Sequence, residues 1–273
     1  MSISQPLVTH LDRDGGRIAY TVTGRGPLVI AIPGMGDLRA SYRHLVPALT
    51  AAGFRVATLD LRGHGDSDAT FTRYDDEAAA DDAIALAEQL GEPALLVGNS
   101  MGAGAAVIAA AHRPELVTGL VLVGPFVRNP PVNRASALLL RVLMAPAWCR
   151  WVWAAYLPSL YAGTKPADFD DYRASVAAAM RRPGHARAFS ATTRTSHAPA
   201  EAALDDVESP ALVVMGDRDP DFRDPAAEAA WIGDRLHAEV LMVPQAGHYP
   251  HSQRADLVAP AIVAFAERVT AGA

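Results

Sequence analysis

Ser100 lies between two glycines in the run Gly98-Asn99-Ser100-Met101-Gly102, a spacing that could present a nucleophilic hydroxyl. Apolar, strand-compatible residues precede this run and an alanine-rich segment follows it, which predicts a strand, a sharp turn and a helix. A turn this tight leaves no room for side chains at the glycines and exposes the serine hydroxyl at its apex. The plain alternative is a serine that caps a buried helix, because helix N-caps favour this residue type.

Two later loops carry the groups that a nucleophilic serine requires. A serine hydroxyl is a poor nucleophile at neutral pH, so it needs a base to accept its proton and a third group to orient that base. Apolar runs at 211–215 and 239–243 each end in a loop that carries such groups. The candidates are Asp217 and Asp219 in the first loop, and His248 and His251 in the second.

Strands and helices alternate along most of the chain and would position these loops. Strands are predicted at 28–32, 55–59, just before Gly98, and at 119–123, 211–215 and 239–243, with an early hairpin around 17–23. Helices are predicted near 39–52, 75–90, 101–112, 224–237 and 253–269. Such alternation predicts a mainly parallel sheet with helices on both faces. Ser100 and the two later loops would then emerge at the same edge of the sheet.

The alternation stops between 125 and 203, where the sequence predicts helices and loops but no convincing strand. We expect this segment to be a helical insertion, a cap over the carboxyl ends of the strands, where open α/β sheets bind ligands. The core would then comprise 1–124 and 204–273. Aromatic residues cluster in the insertion, and we expect them mainly to pack the cap, with pocket lining as the alternative. They are Trp148, Trp151, Trp153 and Tyr156.

Composition excludes several classes of protein. The chain has 273 residues, of which 50% are hydrophobic and 20% charged, which is typical of a globular protein with a large core. A net charge of -6 and the lack of long basic runs argue against a nucleic-acid partner. Cys149 is the only cysteine, which excludes an internal disulfide and a cysteine-rich metal site.

Two observations predict a cytoplasmic protein without a membrane segment. Residues 1–16 lack the charged region and apolar run of a secretory signal. The apolar stretch 135–157 is interrupted by Arg141, Pro146 and Arg150, and charged residues near a bilayer centre are costly. We therefore expect two amphipathic helices in that stretch.

One pair of patterns matches short-chain dehydrogenases. Gly98-x-x-x-Gly102-x-Gly104 has their glycine spacing, and Tyr161-Ala162-Gly163-Thr164-Lys165 has their Tyr-x-x-x-Lys. The tyrosine and lysine must share a helix face, but the internal glycine and the following Pro166 predict a loop. The glycine turn of such enzymes also follows the first strand rather than a late one. The sequence therefore disfavours an oxidoreductase.

Four motifs together resemble those of the α/β-hydrolase superfamily, from about residue 17 to residue 269. They are Gly98-Asn99-Ser100-Met101-Gly102, the loop Asp60-x-Arg62-Gly63-x-Gly65-x-Ser67, Gly216-x-x-Asp219, and Gly247-His248. The chain order serine, aspartate, histidine is also that of the superfamily. The resemblance implies an α/β-hydrolase fold with an inserted helical cap. We expect the glycines and charges of the 60–67 loop to brace the loop beside the serine turn, with substrate contact as the alternative.

The resemblance implies a role for each candidate residue. Ser100 corresponds to the nucleophile, His248 to the general base and Asp219 to the carboxylate that orients the base. Asp217 stays the main rival acid and His251 a weaker rival base. We expect the other histidines to be surface or structural residues, including His44, His64, His112, His185, His197 and His237.

An oxyanion hole is also implied by the resemblance, formed by the backbone amides of Met101 and Met35. Met35 lies in the turn Pro33-Gly34-Met35, where the family often has a histidine before the glycine. The departure from the family pattern therefore lies in the turn that supplies the second amide. The plain alternative for this turn is a tight connection between a strand and a helix.

The predicted function is that of a serine hydrolase that cleaves a carboxylic ester, a lactone or a related acyl bond. An aspartate at position 100 would have indicated an epoxide hydrolase or a dehalogenase. Hydrolysis of a carbon-carbon bond in ring-fission diketones, or ligand binding with little turnover, are the alternatives, and the resemblance does not separate them. The expected substrate is a small molecule with an apolar portion. No metal or organic cofactor is expected, and the protein is expected to be a monomer or a homodimer.

Overall fold

A single eight-stranded sheet runs through residues 7–131 and 133–271, the part of the chain that the computed structural model describes. Its strands are β1 (Thr9–Arg13), β2 (Gly16–Gly24), β3 (Leu28–Ile32), β4 (Arg55–Leu59), β5 (Ala94–Asn99), β6 (Val117–Val123), β7 (Ala211–Gly216) and β8 (Glu239–Val243). They lie in the order β1-β2-β4-β3-β5-β6-β7-β8. β1 and β2 form the predicted hairpin, β2 runs antiparallel to β4, and all other neighbours are parallel. The mainly parallel sheet predicted from the sequence is confirmed.

Helices cover both faces of this sheet. Within the described residues they are α1 (Val46–Ala51), α2 (Asp76–Leu90), α3 (Met101–His112), α4 (Arg134–Leu143), α5 (Cys149–Leu160), α6 (Phe169–Ala179), α7 (His185–Thr192), α8 (Ala198–Ala203), α9 (Pro225–Leu236), α10 (Pro250–Gln253) and α11 (Ala255–Ala271). Because β3 and β5 are buried at every position, successive side chains along each strand enter two different cores. One core includes α2, α3 and α9, and the other includes α1 and α11.

One predicted helix is divided in the structure. The sequence predicts a single helix near 39–52, but a 3₁₀ helix at Arg39–His44 precedes α1, and Leu45 separates the two. Pro47 lies in the first turn of α1 and lacks the amide hydrogen that would continue a preceding α-helix. Proline is common at a helix start for the same reason, so the chain begins a new helix there.

Five helices, α4 to α8, lie between β6 and β7, as the sequence predicts for the segment 125–203. The apolar stretch 135–157 contributes to two of them, α4 and α5, rather than to one continuous helix. Side chains from α5, α6 and α7 form a third buried cluster with Tyr249, which follows β8. The assignment of this segment as a separate cap domain stays a prediction. Among the described residues, no helix is long and apolar enough to cross a membrane.

Candidate active site

Ser100 lies at the turn between β5 and α3, where the backbone conformation is strained. Its φ angle is +56°, in the left-handed region that residues with a side chain rarely adopt. The flanking glycines allow this turn to form: a Cβ atom at Gly98 would lie 2.3 Å from the carbonyl oxygen of Gly102, and one at Gly102 would lie 2.2 Å from that of Ile32. The Ser100 hydroxyl makes no capping hydrogen bond to the described amides of α3, so the plain capping alternative does not hold.

Asp219 and His248 form a buried pair beside this turn. Nδ1 of His248 lies 2.7 Å from Oδ2 of Asp219, and both side chains are almost fully buried. The peptide of His248 is fixed as well, because its amide donates to the carbonyl of Leu160 at 2.7 Å and its carbonyl accepts from the Asn99 side chain at 3.1 Å. This arrangement leaves Nε2 as the ring nitrogen that can serve a substrate or the serine.

The charge of the surrounding carboxylates sets the protonation of His248. Burial alone would lower the pKa of His248, since it disfavours the charged imidazolium, but the carboxylates of Asp219 and Asp221 overcome this and raise the pKa to about 9. Asp221 contributes because its Oδ2 lies 3.9 Å from Nδ1 of His248. Its other oxygen accepts a hydrogen bond from the Tyr156 hydroxyl.

The structure does not bring the two rival residues into this pair. Asp217 is exposed, and its carboxylate accepts from the amide of Ala246 at 3.4 Å. His251 is fully buried against the ring of Tyr42, with ring centroids 4.8 Å apart, and neither of its nitrogens has a hydrogen-bond partner among the described residues. Burial lowers the pKa of His251 to about 3. Geometry therefore favours Asp219 and His248 over both rivals.

Asp219, Asp221 and His248 also form a set of potential metal-binding groups, with donor atoms within 4.8 Å of one another. Two ligands of one zinc ion, each about 2.1 Å from the metal in tetrahedral geometry, lie about 3.4 Å apart. The separation of 2.7 Å between His248 and Asp219 is that of a hydrogen bond instead. The donor geometry therefore fits an acid–base pair better than a metal site.

The turn that follows β3 approaches the serine from the other side. A Cβ atom at Gly34 would lie 2.9 Å from the Cβ of Ser100, so the two turns are in contact. Met35 follows this glycine and lines the same cavity as Ser100, while Met101 is the first residue of α3. The amides of Met35 and Met101 therefore belong to the two turns that meet at the serine. Their service as an oxyanion hole stays a prediction.

Two side chains from distant parts of the chain hold the Met35 turn in place. The amide of Gly36 donates to Nε2 of His64 at 2.9 Å, and Nδ1 of the same ring bonds to the carbonyl of Arg62 at 2.9 Å. Burial lowers the pKa of His64 to about 4, so this ring is neutral at pH 7. On the other side, Nε1 of Trp153 donates to the carbonyl of Gly36 at 2.9 Å. The loop that contains His64 thus braces this turn, and His64 has a structural position, as predicted.

A cavity of about 590 Å³ opens over Ser100 and His248. Apolar side chains from α4, α5 and the residue after α4 form much of its wall: Leu140, Leu143, Met144, Val152, Trp153 and Leu160. Trp153 therefore packs and lines the cavity at once, whereas Trp148 and Trp151 are 44% and 58% exposed. Phe126 and Tyr249 complete the wall near the histidine. A pocket of this size and lining suits a small organic substrate.

Comparisons with known proteins identify the family of this chain. The family profile described as serine aminopeptidase, S33, matches residues 25–249, which is most of the chain. The chain belongs to this α/β-hydrolase family. A curated relative, the 2-(acetamidomethylene)succinate hydrolase of Mesorhizobium japonicum, is 31% identical over 264 residues, covering 92% of this chain and 93% of the relative. The chain is therefore a hydrolase.

Two solved structures show the same α/β-hydrolase fold at low sequence identity. The bromoperoxidase of Bacillus anthracis has a TM-score of 0.84 and 20% identity, covering 96% of this chain and all of its own. A thermophilic esterase from Thermogutta terrifontis has a TM-score of 0.79 and 24% identity, covering 97% of this chain and 99% of its own. At these identities the likeness concerns the fold alone.

Sequence reasoning missed three side chains that line the cavity of this α/β-hydrolase. Asp221 lines the cavity and lies two residues after Asp219 in the sequence. This closeness to the predicted acid is the feature of the sequence that could have indicated its position. Phe126 carries no motif, yet its amide donates to the carbonyl of Ser100 at 3.2 Å. His197, predicted to be a surface or structural residue, lies in the cavity wall.

Proposed function

We propose that this α/β-hydrolase is a serine hydrolase that cleaves a carboxylic ester, a lactone or a related acyl bond through an acyl-enzyme on Ser100. The observation that carries the proposal is the buried pair of Asp219 and His248, 2.7 Å apart, in the cavity that Ser100 lines from a strained turn. In this proposal Ser100 is the nucleophile, His248 the general base and Asp219 the group that orients it. The amides of Met35 and Met101 stabilise the oxyanion.

The first half of the reaction forms the acyl-enzyme. The Ser100 oxygen attacks the acyl carbon while its proton passes to Nε2 of His248, and the carbonyl electrons move onto the oxygen. The bond from carbon to the leaving group then breaks, and the leaving oxygen takes the proton from His248. Asp219 accepts a hydrogen bond from Nδ1 throughout, which fixes the tautomer and stabilises the imidazolium.

The second half releases the acid. A water molecule attacks the acyl carbon as its proton passes to His248, and the Ser100 oxygen leaves with that proton. Each proton that His248 accepts is returned within the same half-reaction. The protons of the proposed reaction therefore balance without a cofactor. The free acid then departs through the cavity.

The cavity favours a substrate with an apolar portion. Its wall is largely aliphatic and aromatic, so an alkyl or aryl group of the substrate would leave water on binding. None of the described residues that line it is a lysine or an arginine. The curated relative acts, by its name, on a succinate, and binding a dicarboxylate would call for basic groups. Cavity chemistry therefore favours a less charged substrate here.

The test is a substrate comparison with wild type and Ser100→Ala. We expect wild type to hydrolyse p-nitrophenyl esters of short to medium chain length, and Ser100→Ala to lose roughly a thousandfold or more of kcat/KM while remaining folded. Turnover of ring-fission diketones without ester turnover would replace the acyl-bond proposal with carbon-carbon bond hydrolysis. Binding of ligands without turnover of either class would contradict an enzyme of this mechanism.

A further inference from the structure

A second histidine–aspartate pair lies against the cavity, apart from the groups that we assign to the reaction. His197 precedes α8, and its Nδ1 lies 2.7 Å from Oδ2 of Asp76 in the first turn of α2. The other oxygen of Asp76 accepts from the Thr195 hydroxyl at 3.0 Å. Asp76 is fully buried and both of its oxygens are bonded, at a helix N-terminus, which stabilises a negative charge. The pair therefore holds the His197 ring in a fixed orientation.

The free nitrogen of His197 is available to the cavity. His197 is 6% exposed and lines the cavity, and its Nε2 has no hydrogen-bond partner among the described residues. Its ring packs against Phe126, with centroids 5.4 Å apart, and His248 packs against the same ring at 5.8 Å. The two imidazoles therefore contact one aromatic side chain and lie within reach of one small molecule.

Contacts other than the ring also hold the segment that contains His197. The backbone amide of His197 donates to the Asn129 side chain at 2.9 Å, and the Asn129 amide donates to the Ser196 hydroxyl at 3.0 Å. Thr195 already ties this segment to Asp76. Burying an imidazole and a carboxylate costs desolvation energy that an apolar pair would avoid. A ligand that bonds to Nε2 would account for this buried polar pair at the cavity.

Two neighbouring side chains add polar atoms to the same wall. Asn129 has a second amide hydrogen beyond the one that it donates to Ser196. The Thr193 hydroxyl donates to the carbonyl of Ser190 at 2.9 Å, so towards the cavity it can only accept. This set offers both a donor and an acceptor, which matches a hydroxyl group. A carboxylate fits less well, because Asp76 offsets any charge on His197 and Asp221 adds a negative charge to the wall.

We propose that His197, with Asn129 and Thr193, forms a subsite that hydrogen-bonds a hydroxyl group on the part of the substrate remote from the scissile bond. The inference rests on the proposed acyl-bond hydrolysis and narrows its substrate class to hydroxylated esters. Asp76 acts as a positioning residue, since it fixes the ring and leaves Nε2 for the ligand.

The experiment compares matched esters with and without a terminal hydroxyl. One series carries the hydroxyl on the acyl chain, as in p-nitrophenyl 6-hydroxyhexanoate against p-nitrophenyl hexanoate. The other carries it on the alcohol, as in 6-hydroxyhexyl acetate against hexyl acetate, and both series run from four to eight carbons. The main variant combines His197→Phe with Asp76→Asn, so that the amide still bonds Thr195 and no unpaired charge is buried. His197→Gln tests rescue by a polar side chain, and thermal melting confirms that each variant is folded.

We expect wild type to prefer the hydroxylated ester by about tenfold in kcat/KM in at least one series, the effect of one good hydrogen bond. The double variant should lose this preference and keep its activity on the plain ester within about threefold, and His197→Gln should restore part of the preference. A wild type with no preference at any chain length overturns the proposal. An equal loss of activity on both members of each pair would indicate a structural role of His197 and overturns the proposal. A larger preference for an ester that carries a carboxylate in place of the hydroxyl overturns it too.

A binding measurement separates this proposal from the proposed function. Hexane-1,6-diol and hexan-1-ol are titrated into wild type and the double variant, which requires no turnover. If no ester is hydrolysed, the proposed function fails, while tighter binding of the diol that depends on His197 still supports the subsite. Equal affinity of the diol for wild type and for the double variant overturns the subsite, whatever the esterase result.

Discussion

Replacement of Asp221 by asparagine is a sharp test of the electrostatics around His248. The Asp221 carboxylate lies 3.9 Å from Nδ1 of the ring and helps to raise the pKa of His248 to about 9. A general base must be neutral to accept a proton, so the negative charge of Asp221 opposes activity at neutral pH. Removing that charge should lower the pKa of His248 and increase the neutral fraction.

The size of the effect follows from these values. With a pKa of about 9, only about 1% of the His248 rings are neutral at pH 7, so kcat/KM of wild type at pH 7 should lie about a hundredfold below its alkaline plateau. Loss of an opposite charge at this distance shifts a pKa by about one unit or more. We therefore expect Asp221→Asn to raise kcat/KM at pH 7 by about tenfold while the plateau changes much less.

The assay is kcat/KM for a p-nitrophenyl ester between about pH 6 and pH 10.5. Ser100→Ala supplies the blank for spontaneous hydrolysis, which becomes important at high pH. Asp217→Asn is the matched control, because Asp217 lies in the same loop but is exposed and bonds to the amide of Ala246. Its profile should coincide with that of wild type.

Two results would refute this reasoning. A wild-type profile that already reaches its plateau at pH 7 would show that the carboxylates do not raise the pKa of His248. An unchanged midpoint in Asp221→Asn, or a shift of the same size in Asp217→Asn, would show that the distance of 3.9 Å does not determine the coupling.

Three further predictions concern the acid, a buried carboxyl group and the Met35 turn. Asp219→Asn should lower kcat by roughly a thousandfold or more, and Asp217→Asn by less than about twofold, in a steady-state assay; the reverse order would reassign the acid. Burial raises the pKa of Asp37 from 3.8 to about 7, so the folded protein binds this proton more tightly than the unfolded chain does. The free energy of unfolding should therefore fall by up to about 4 kcal/mol as the pH rises from 4 through 7. Asp37→Asn should flatten this dependence in urea denaturation at several pH values, and parallel curves for the two proteins would contradict it. Trp153→Phe removes the hydrogen bond to the carbonyl of Gly36. It should lower kcat severalfold and change KM less, because this bond holds the Met35 turn. An effect on KM alone would show that the tryptophan only binds substrate.

The order of strands and helices could be predicted because the central strands are buried on both faces. Such strands are continuous apolar runs that end at glycine or a polar loop, and the predicted runs 28–32 and 55–59 coincide with β3 and β4. Helix ends were also marked locally. The Asp75 side chain accepts from the amide of Ala78 at the start of α2, and Gly91 ends that helix in a left-handed conformation.

Helix continuity was harder to predict. The division of the region 39–52 depends on Pro47. A short helix that was not predicted, α10, precedes the last predicted helix, α11, with Arg254 between them. A pattern of apolar residues places a helix but does not show where one hydrogen bond is lost within it. The breaks between helices become visible only in the structure, where the hydrogen-bond partner of each backbone amide is known.

The candidate site could be predicted where local motifs carry it, and not where it depends on long-range contacts. Glycine spacing marks Ser100, and strand ends mark Asp219 and His248. His197 has no such signal, because its partner Asp76 lies 121 residues away in the chain. Spacing along the chain cannot reveal a pair that forms only when α2 and the segment before α8 pack together.

The acyl-enzyme on Ser100 is the central claim, and intact mass spectrometry during turnover tests it most directly. Wild type and Ser100→Ala are mixed with a p-nitrophenyl ester, quenched at short times, and the released nitrophenol is followed in parallel. We predict a burst and one acyl adduct on wild type, located on the peptide that contains Ser100, with neither in Ser100→Ala. Turnover by Ser100→Ala at the wild-type rate, or an adduct on a different residue, would contradict the mechanism.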